Sequence, residues 1–200
     1  VKSSKGNYQM GGAGRGNPAS YFLRKIMKDL MFDLETLGSK SGDIILQIGA
    51  CYFDRNTGAI GKIFCRNMDM CESERLGFTH SLDTVKWWCW QTKDAQRSVF
   101  EGEMTPVVDV LIEFYEFCKG LDEAWSHSTF DQNLLFAYYE KMGMEIPFHY
   151  KRGSDLRTLT KLAKIDFKSI KREGIHHNGL DDCLYQVKYT VECLRKLNVK

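Results

Sequence analysis

Asp33 and Glu35 stand two residues apart at the end of a short apolar run, Leu30 to Leu34. In an extended strand, residues i and i+2 point to the same face. The two carboxylates would therefore project together. Like charges so placed repel and lose solvation unless a cation sits between them. Magnesium and manganese are held by oxygen ligands of this kind. The competing reading is a strand end running into solvent, where paired acids cost nothing.

Two further polar clusters lie far along the chain. Ser126-His127-Ser128-Thr129-Phe130-Asp131 opens a helical stretch. An acid in a first helical turn is favoured by the helix dipole, so capping competes with chemistry at Asp131. His127 is either a substrate contact or a loop residue. His176-His177-Asn178-Gly179-Leu180-Asp181-Asp182 crowds the start of the last helical stretch. Asp181 and Asp182 carry the same capping alternative. A loop-to-helix turn could present His177 and Asp182 to one point, and a histidine near its ordinary pKa can accept a proton from water at neutral pH.

These groups need a scaffold. Leu30–Leu34, Ile44–Phe53 and Gly61–Asn67 read as three strands in series, with turn chemistry at Ser39–Gly42 and Asp54–Gly58. Asp83 is placed to cap a helix through Val85 and Trp88. Thr105 as N-cap and Pro106 at the first helical position start a helix that closes at Gly120. Glu123–Ser126 reads as a short buried strand. Phe130–Met142 reads as a helix stopped by Gly143. A helix begins near Asp155, and the last runs from about Leu180 to Leu197. Strands first, then alternation of strand and helix, predict an α/β fold with a mixed central sheet.

The combination and order of the polar clusters resemble the DEDDh 3′–5′ exonucleases of the ribonuclease H-like superfamily. Phe32-Asp33-Leu34-Glu35-Thr36 looks like that family's first motif, Ser128-Thr129-Phe130-Asp131 like its second, and His177-Asn178-Gly179-Leu180-Asp181-Asp182 like its third. Leu82-Asp83-Thr84-Val85-Lys86-Trp87-Trp88 and Asp155-Leu156-Arg157-Thr158-Leu159 are similar to segments of the stand-alone exonucleases and exoribonucleases of phages and bacteria. The likeness covers about Leu30 to Leu197. It implies a ribonuclease H-like fold: a mixed central sheet begun by three antiparallel strands and flanked by helices.

It also implies a chemistry. Asp33, Glu35, Asp131 and Asp182 would hold two divalent ions, Mg²⁺ or Mn²⁺, and His177 would take the proton of the attacking water. The product would be a nucleoside 5′-monophosphate cut from a free 3′ end of RNA or DNA, single-stranded or overhanging. His177 is preferred to His176, and Asp182 to Asp181, on the family's four-residue gap. The backbone after the acid pair, Thr36 and Leu37, would hold the terminal nucleotide. The resemblance makes a homodimer possible and points to the cytoplasm of a bacterium or phage-infected host. Two other readings keep the fold: a ribonuclease H-like endonuclease, and a catalytically inactive nucleic-acid-binding module.

Composition bounds the rest. Twenty-eight basic and 26 acidic residues give a net charge of +2, unlike the strongly basic profile of a stoichiometric nucleic-acid binder. With 43% hydrophobic residues the chain can bury a core. Its seven cysteines, an odd number with no CxxC pair, suggest a reducing compartment and no structural zinc. No apolar run approaches a membrane span, so no membrane partner is expected. Residues 1–27 are Gly-, Ser- and Asn-rich and read as a flexible arm or a vector-derived segment, with a basic nucleic-acid tether as the alternative. Residues 28–200 read as one domain. Trp87, Trp88 and Trp90 are either core or a stacking surface for bases.

Overall fold

The computed structural model describes residues 27–199, and the reading of the segment before Lys28 as an arm falls, but for Met27, outside them. Six strands form one sheet in the order β4-β3-β2-β1-β5-β6. The first three, β1 (Asp29–Thr36), β2 (Ile45–Phe53) and β3 (Ile60–Met68), are an antiparallel meander. β4 (Met104–Thr105) adds parallel to β3. On the other side β5 (Glu123–Ser126) runs parallel to β1, and β6 (Gly153–Asp155) parallel to β5. The expected mixed sheet with three antiparallel opening strands is therefore present.

Among the described residues seven α-helices flank it: α1 (Met70–Arg75), α2 (Leu82–Cys89), α3 (Lys93–Phe100), α4 (Val107–Phe117), α5 (Asp131–Lys141), α6 (Leu156–Ala163) and α7 (Gly179–Lys196). β1 is central and buried along its whole length, as its near-continuous apolar run requires of a strand covered on both faces. Alternation then sorts its side chains. Phe32 and Leu34 enter a core that includes Phe114 of α4 and Tyr138 of α5. Met31 enters the opposite core, with Leu156 and Leu159 of α6 and Cys183 and Val187 of α7. Asp33 and Glu35 follow Met31 at two-residue steps. The acid pair thus faces the α6–α7 side, at the strand end where that core stops.

Two caps differ from the sequence reading. α2 is capped by Ser81, whose hydroxyl accepts from the Thr84 N–H at 3.4 Å, while Asp83 lies within the helix. Thr105 does not cap α4, because as part of β4 its backbone is paired with Met68 of β3. Pro106 takes the N-cap position without a side-chain bond, and the free Val107 N–H is met at 2.8 Å by a Glu72 carboxylate oxygen from α1. Helix donors left over at a first turn need some acceptor, and here a neighbouring helix supplies it. No described helix is long and apolar enough to cross a membrane.

Candidate active site

The start of α7 is pressed against β2. A Cβ built at Gly49 would lie 2.0 Å from the Gly179 carbonyl carbon, so glycine is what allows the two backbones to touch. The Gly179 N–H donates to the Gln47 side-chain oxygen at 2.7 Å, and the Gln47 amide donates to Asn67 at 2.6 Å and to the Ser98 carbonyl at 3.0 Å. Ser98 Oγ donates in turn to the His177 carbonyl at 3.3 Å. His177 itself has φ +64°, in the left-handed region, a conformation that costs a non-glycine residue of order 1 kcal/mol or more and is held by its surroundings. Asn178 caps the helix by accepting from the Asp181 N–H at 3.1 Å.

That docking brings chain-distant acids together. Asp33, Glu35 and Asp182 each offer an oxygen to a group within 4.8 Å, and His176, His177 and Asp182 form a second such group. Asp131 lies beside them, buried, with its oxygens accepting from the His127 N–H at 2.8 Å and the Leu34 N–H at 3.4 Å. It is therefore braced by backbone from β1 and from the turn before α5, and makes no capping bond within its own helix. Asp181 turns away and accepts from the Ile175 N–H at 2.7 Å.

The electrostatics follow from burial. Desolvation lifts the Asp33 carboxyl to about 6, against the Gln186 hydrogen bond and the pull of Arg172 and Arg157. Glu35 is held well above the usual carboxylate range by burial, then by the charges of Asp33 and Asp131. Asp131 is raised in the same direction by burial and by Asp33. Glu35 Oε1 is buried and has no hydrogen-bond partner. Crowded buried carboxylates with an orphaned oxygen are the donor set a hard divalent cation takes, so these residues fit such an ion. Burial, then His176 and Arg172, lower His177 to about 4. Its ring meets Trp87 edge-on at 4.7 Å and stacks on His176 at 3.8 Å.

A cleft of about 1110 Å³ opens over these groups. Thr36 lines it, whereas Leu37 does not. The Leu37 N–H donates to the Ile44 carbonyl and its own carbonyl accepts from the Ser81 N–H, both at 2.8 Å, so its backbone is already spent on the fold. The tryptophans divide. Trp88 is core, 2% exposed, with its indole N–H donating to the Thr36 carbonyl at 2.9 Å. Trp87 lines the cleft at 38% exposure, and Trp90, 72% exposed, is no core residue. His127 also lines the cleft, with Nδ1 buried and unpartnered.

Two site residues escaped the sequence reading. Gln186 donates to Asp33 Oδ1 at 2.6 Å. It lies one helical turn after Asp182, so the i, i+4 face of α7 would have found it. Arg172 pairs with Asp182 and lies over the Tyr185 ring at 4.7 Å. It comes from the irregular segment before α7, where no periodicity marks it.

The central sheet thus brings strand-end acids and helix-start histidines to one cleft. The fold has solved counterparts. It is similar to the nuclease domain of 3′hExo, a DEDDh family member bound to rAMP, at 14% identity and TM-score 0.59 over 84% of this chain and 92% of that one. It is similar also to the S. pombe Pop2p in its Mg²⁺- and Mn²⁺-bound form (13% identity, TM-score 0.55, 91% of this chain and 90% of that one). A third counterpart is E. coli exonuclease I with an oligonucleotide (11%, 0.59, 86% and 41%). No curated protein sequence matches the chain. Residues 28–194 match the model of the 3′-5′ exoribonuclease Rv2179c-like domain, and the chain belongs to that family.

Proposed function

We propose that this enzyme removes nucleoside 5′-monophosphates one at a time from the 3′ end of single-stranded RNA. The observation that carries the reading is the convergence of Asp33, Glu35 and Asp182 within 4.8 Å around an unpartnered Glu35 oxygen. Asp33, Glu35, Asp131 and Asp182 would hold two divalent ions, Mg²⁺ or Mn²⁺. Such ions, when bound, make water a nucleophile at neutral pH and stabilise the charge on the leaving oxygen.

The chain's own groups do the rest. His177 accepts the proton of the attacking water; in the metal-free protein burial, then His176 and Arg172, hold its ring neutral and make it a weaker base than a free histidine. Trp87 packs on the edge of that ring and limits its rotation. Gln186 fixes the Asp33 carboxylate through its 2.6 Å bond, and the two backbone N–H groups on Asp131 fix that one. Thr36, which lines the cleft, would contact the terminal nucleotide. The choice of RNA is supported by the exoribonuclease description of the family and by the rAMP bound to the 3′hExo nuclease domain.

The test is a time course on a 5′-labelled single-stranded oligonucleotide, as RNA and as DNA, with Mn²⁺, Mg²⁺ or EDTA. A ladder that shortens from the 3′ end only with metal, faster on RNA, is expected. Internal fragments would make the enzyme an endonuclease. Binding without cleavage under every condition would make it a non-catalytic module.

A further inference from the structure

α6 turns two faces to its surroundings. Leu156, Leu159 and Ala163 pack into the core shared with α7. Arg157, Lys161 and the C-cap residue Lys164 follow at i, i+4 and i+7, on the other side, and all three line the active-site cleft. Lys164 closes the helix with φ 50°. None of the three has a carboxylate within 4.0 Å among the described residues, whereas Arg172 in the same cleft pairs with Asp182. The ridge spans about 10 Å of helix. Its Arg157 end adjoins the acids, since that guanidinium acts on both Asp33 and Asp131. Its Lys164 end lies the far side of two helical turns.

A solvated helix face would also be rich in lysine. This one, however, lines a concave wall that it shares with the carboxylate cluster. Unpaired positive charges at regular spacing suit a polyanion whose charges also recur regularly, and lysines on flexible stems track phosphates without reading bases. We propose that the Arg157–Lys161–Lys164 ridge carries the phosphodiester backbone of the nucleotides 5′ to the scissile bond, so that the enzyme grips a run of single strand and not the terminal dinucleotide alone. The inference rests on the exonuclease reading of the same cleft.

The experiment compares the full chain with its Lys161→Ala/Lys164→Ala variant on a dinucleotide and on a single-stranded decanucleotide. A Lys62→Ala/Lys119→Ala variant controls for net charge, as neither residue lines the cleft. Each single-strand phosphate contact contributes about 0.7 to the salt slope. The slope of log KM against log salt for the decanucleotide should therefore fall by about 1.4, and KM at about 0.1 M salt should rise on the order of 10-fold. The decanucleotide's advantage in KM over the dinucleotide should collapse, with kcat on the decanucleotide nearly kept. Anisotropy of a labelled decanucleotide in EDTA reads the same contacts without turnover, and the same fold-loss is expected there. An unmoved KM and Kd, an equal loss in the control variant, or a dinucleotide KM that rises in the same proportion would overturn the proposal. Wild-type protein that cleaves neither substrate, with the ridge variant still losing affinity, would remove the active-site reading and leave the ridge standing.

Discussion

Asp33→Asn should stabilise the metal-free protein while ending its activity. Burial lifts the Asp33 carboxyl from 3.8 to about 6. Below pH 4 the group is protonated folded or unfolded and costs nothing. As pH climbs from the unfolded value toward the folded one, the unfolded chain ionises while the folded one stays protonated, and stability is lost. One pKa unit corresponds to about 1.4 kcal/mol, so the loss levels off at roughly 3 kcal/mol above pH 6. Asparagine carries no charge at any pH, and its oxygen can still accept the Gln186 bond. It also removes a charge that raises Glu35 and Asp131. For a chain of this size about 3 kcal/mol is roughly 6–12 °C in Tm. The assay is thermal unfolding in EDTA across pH, then with Mn²⁺. The variant should match wild type near pH 4 and exceed it by that margin at pH 7.5. Saturating Mn²⁺ should raise wild type, by about 2.7 kcal/mol at a hundredfold over Kd, and leave the variant nearly unmoved. A variant that melts at or below wild type in EDTA at pH 7.5 would refute the argument that the carboxylates strain one another.

Other outcomes follow from the same geometry. His177→Ala should slow hydrolysis about 10²–10⁴-fold and His176→Ala much less; equal effects in single-turnover kinetics would discard His177 as the base. Gly49→Ala should cost about 3 kcal/mol or more, since the new methyl collides with the Gly179 backbone, and urea unfolding measures it; an unchanged midpoint would mean that α7 does not press on β2. Tyr138→Phe removes the hydroxyl that accepts from the Ile45 N–H at 2.9 Å, which should lower stability by about 1–3 kcal/mol with kcat nearly kept.

What sequence could and could not reveal has physical causes. The meander was legible because β2 and its neighbours are rich in strand-formers, and the acid pair because the two-residue period alone aligns Asp33 with Glu35. α1, α3, β4 and β6 were missed. α1, β4 and β6 hold six, two and three residues, too few to develop a period, and α3 buries only Ala95 and Val99, a weak apolar stripe. The cap misassigned to Thr105 failed because a two-residue strand took that backbone first. Leu37 drew attention through the family pattern, yet its N–H and carbonyl serve the fold. Gly49 and Gln47 meet Gly179 about 130 positions later, and no local window contains such a contact.

The two edges of the sheet have a consequence for how this molecule meets copies of itself. β6 offers three residues, but β4 covers only Asn67 and Met68 of β3, so among the described residues the stretch from Ile60 to Arg66 has no strand beside it on that side. A partner strand would find its longest template there. Lys62 and Arg66, charged residues along that stretch, are what stand against strand annexation by another copy.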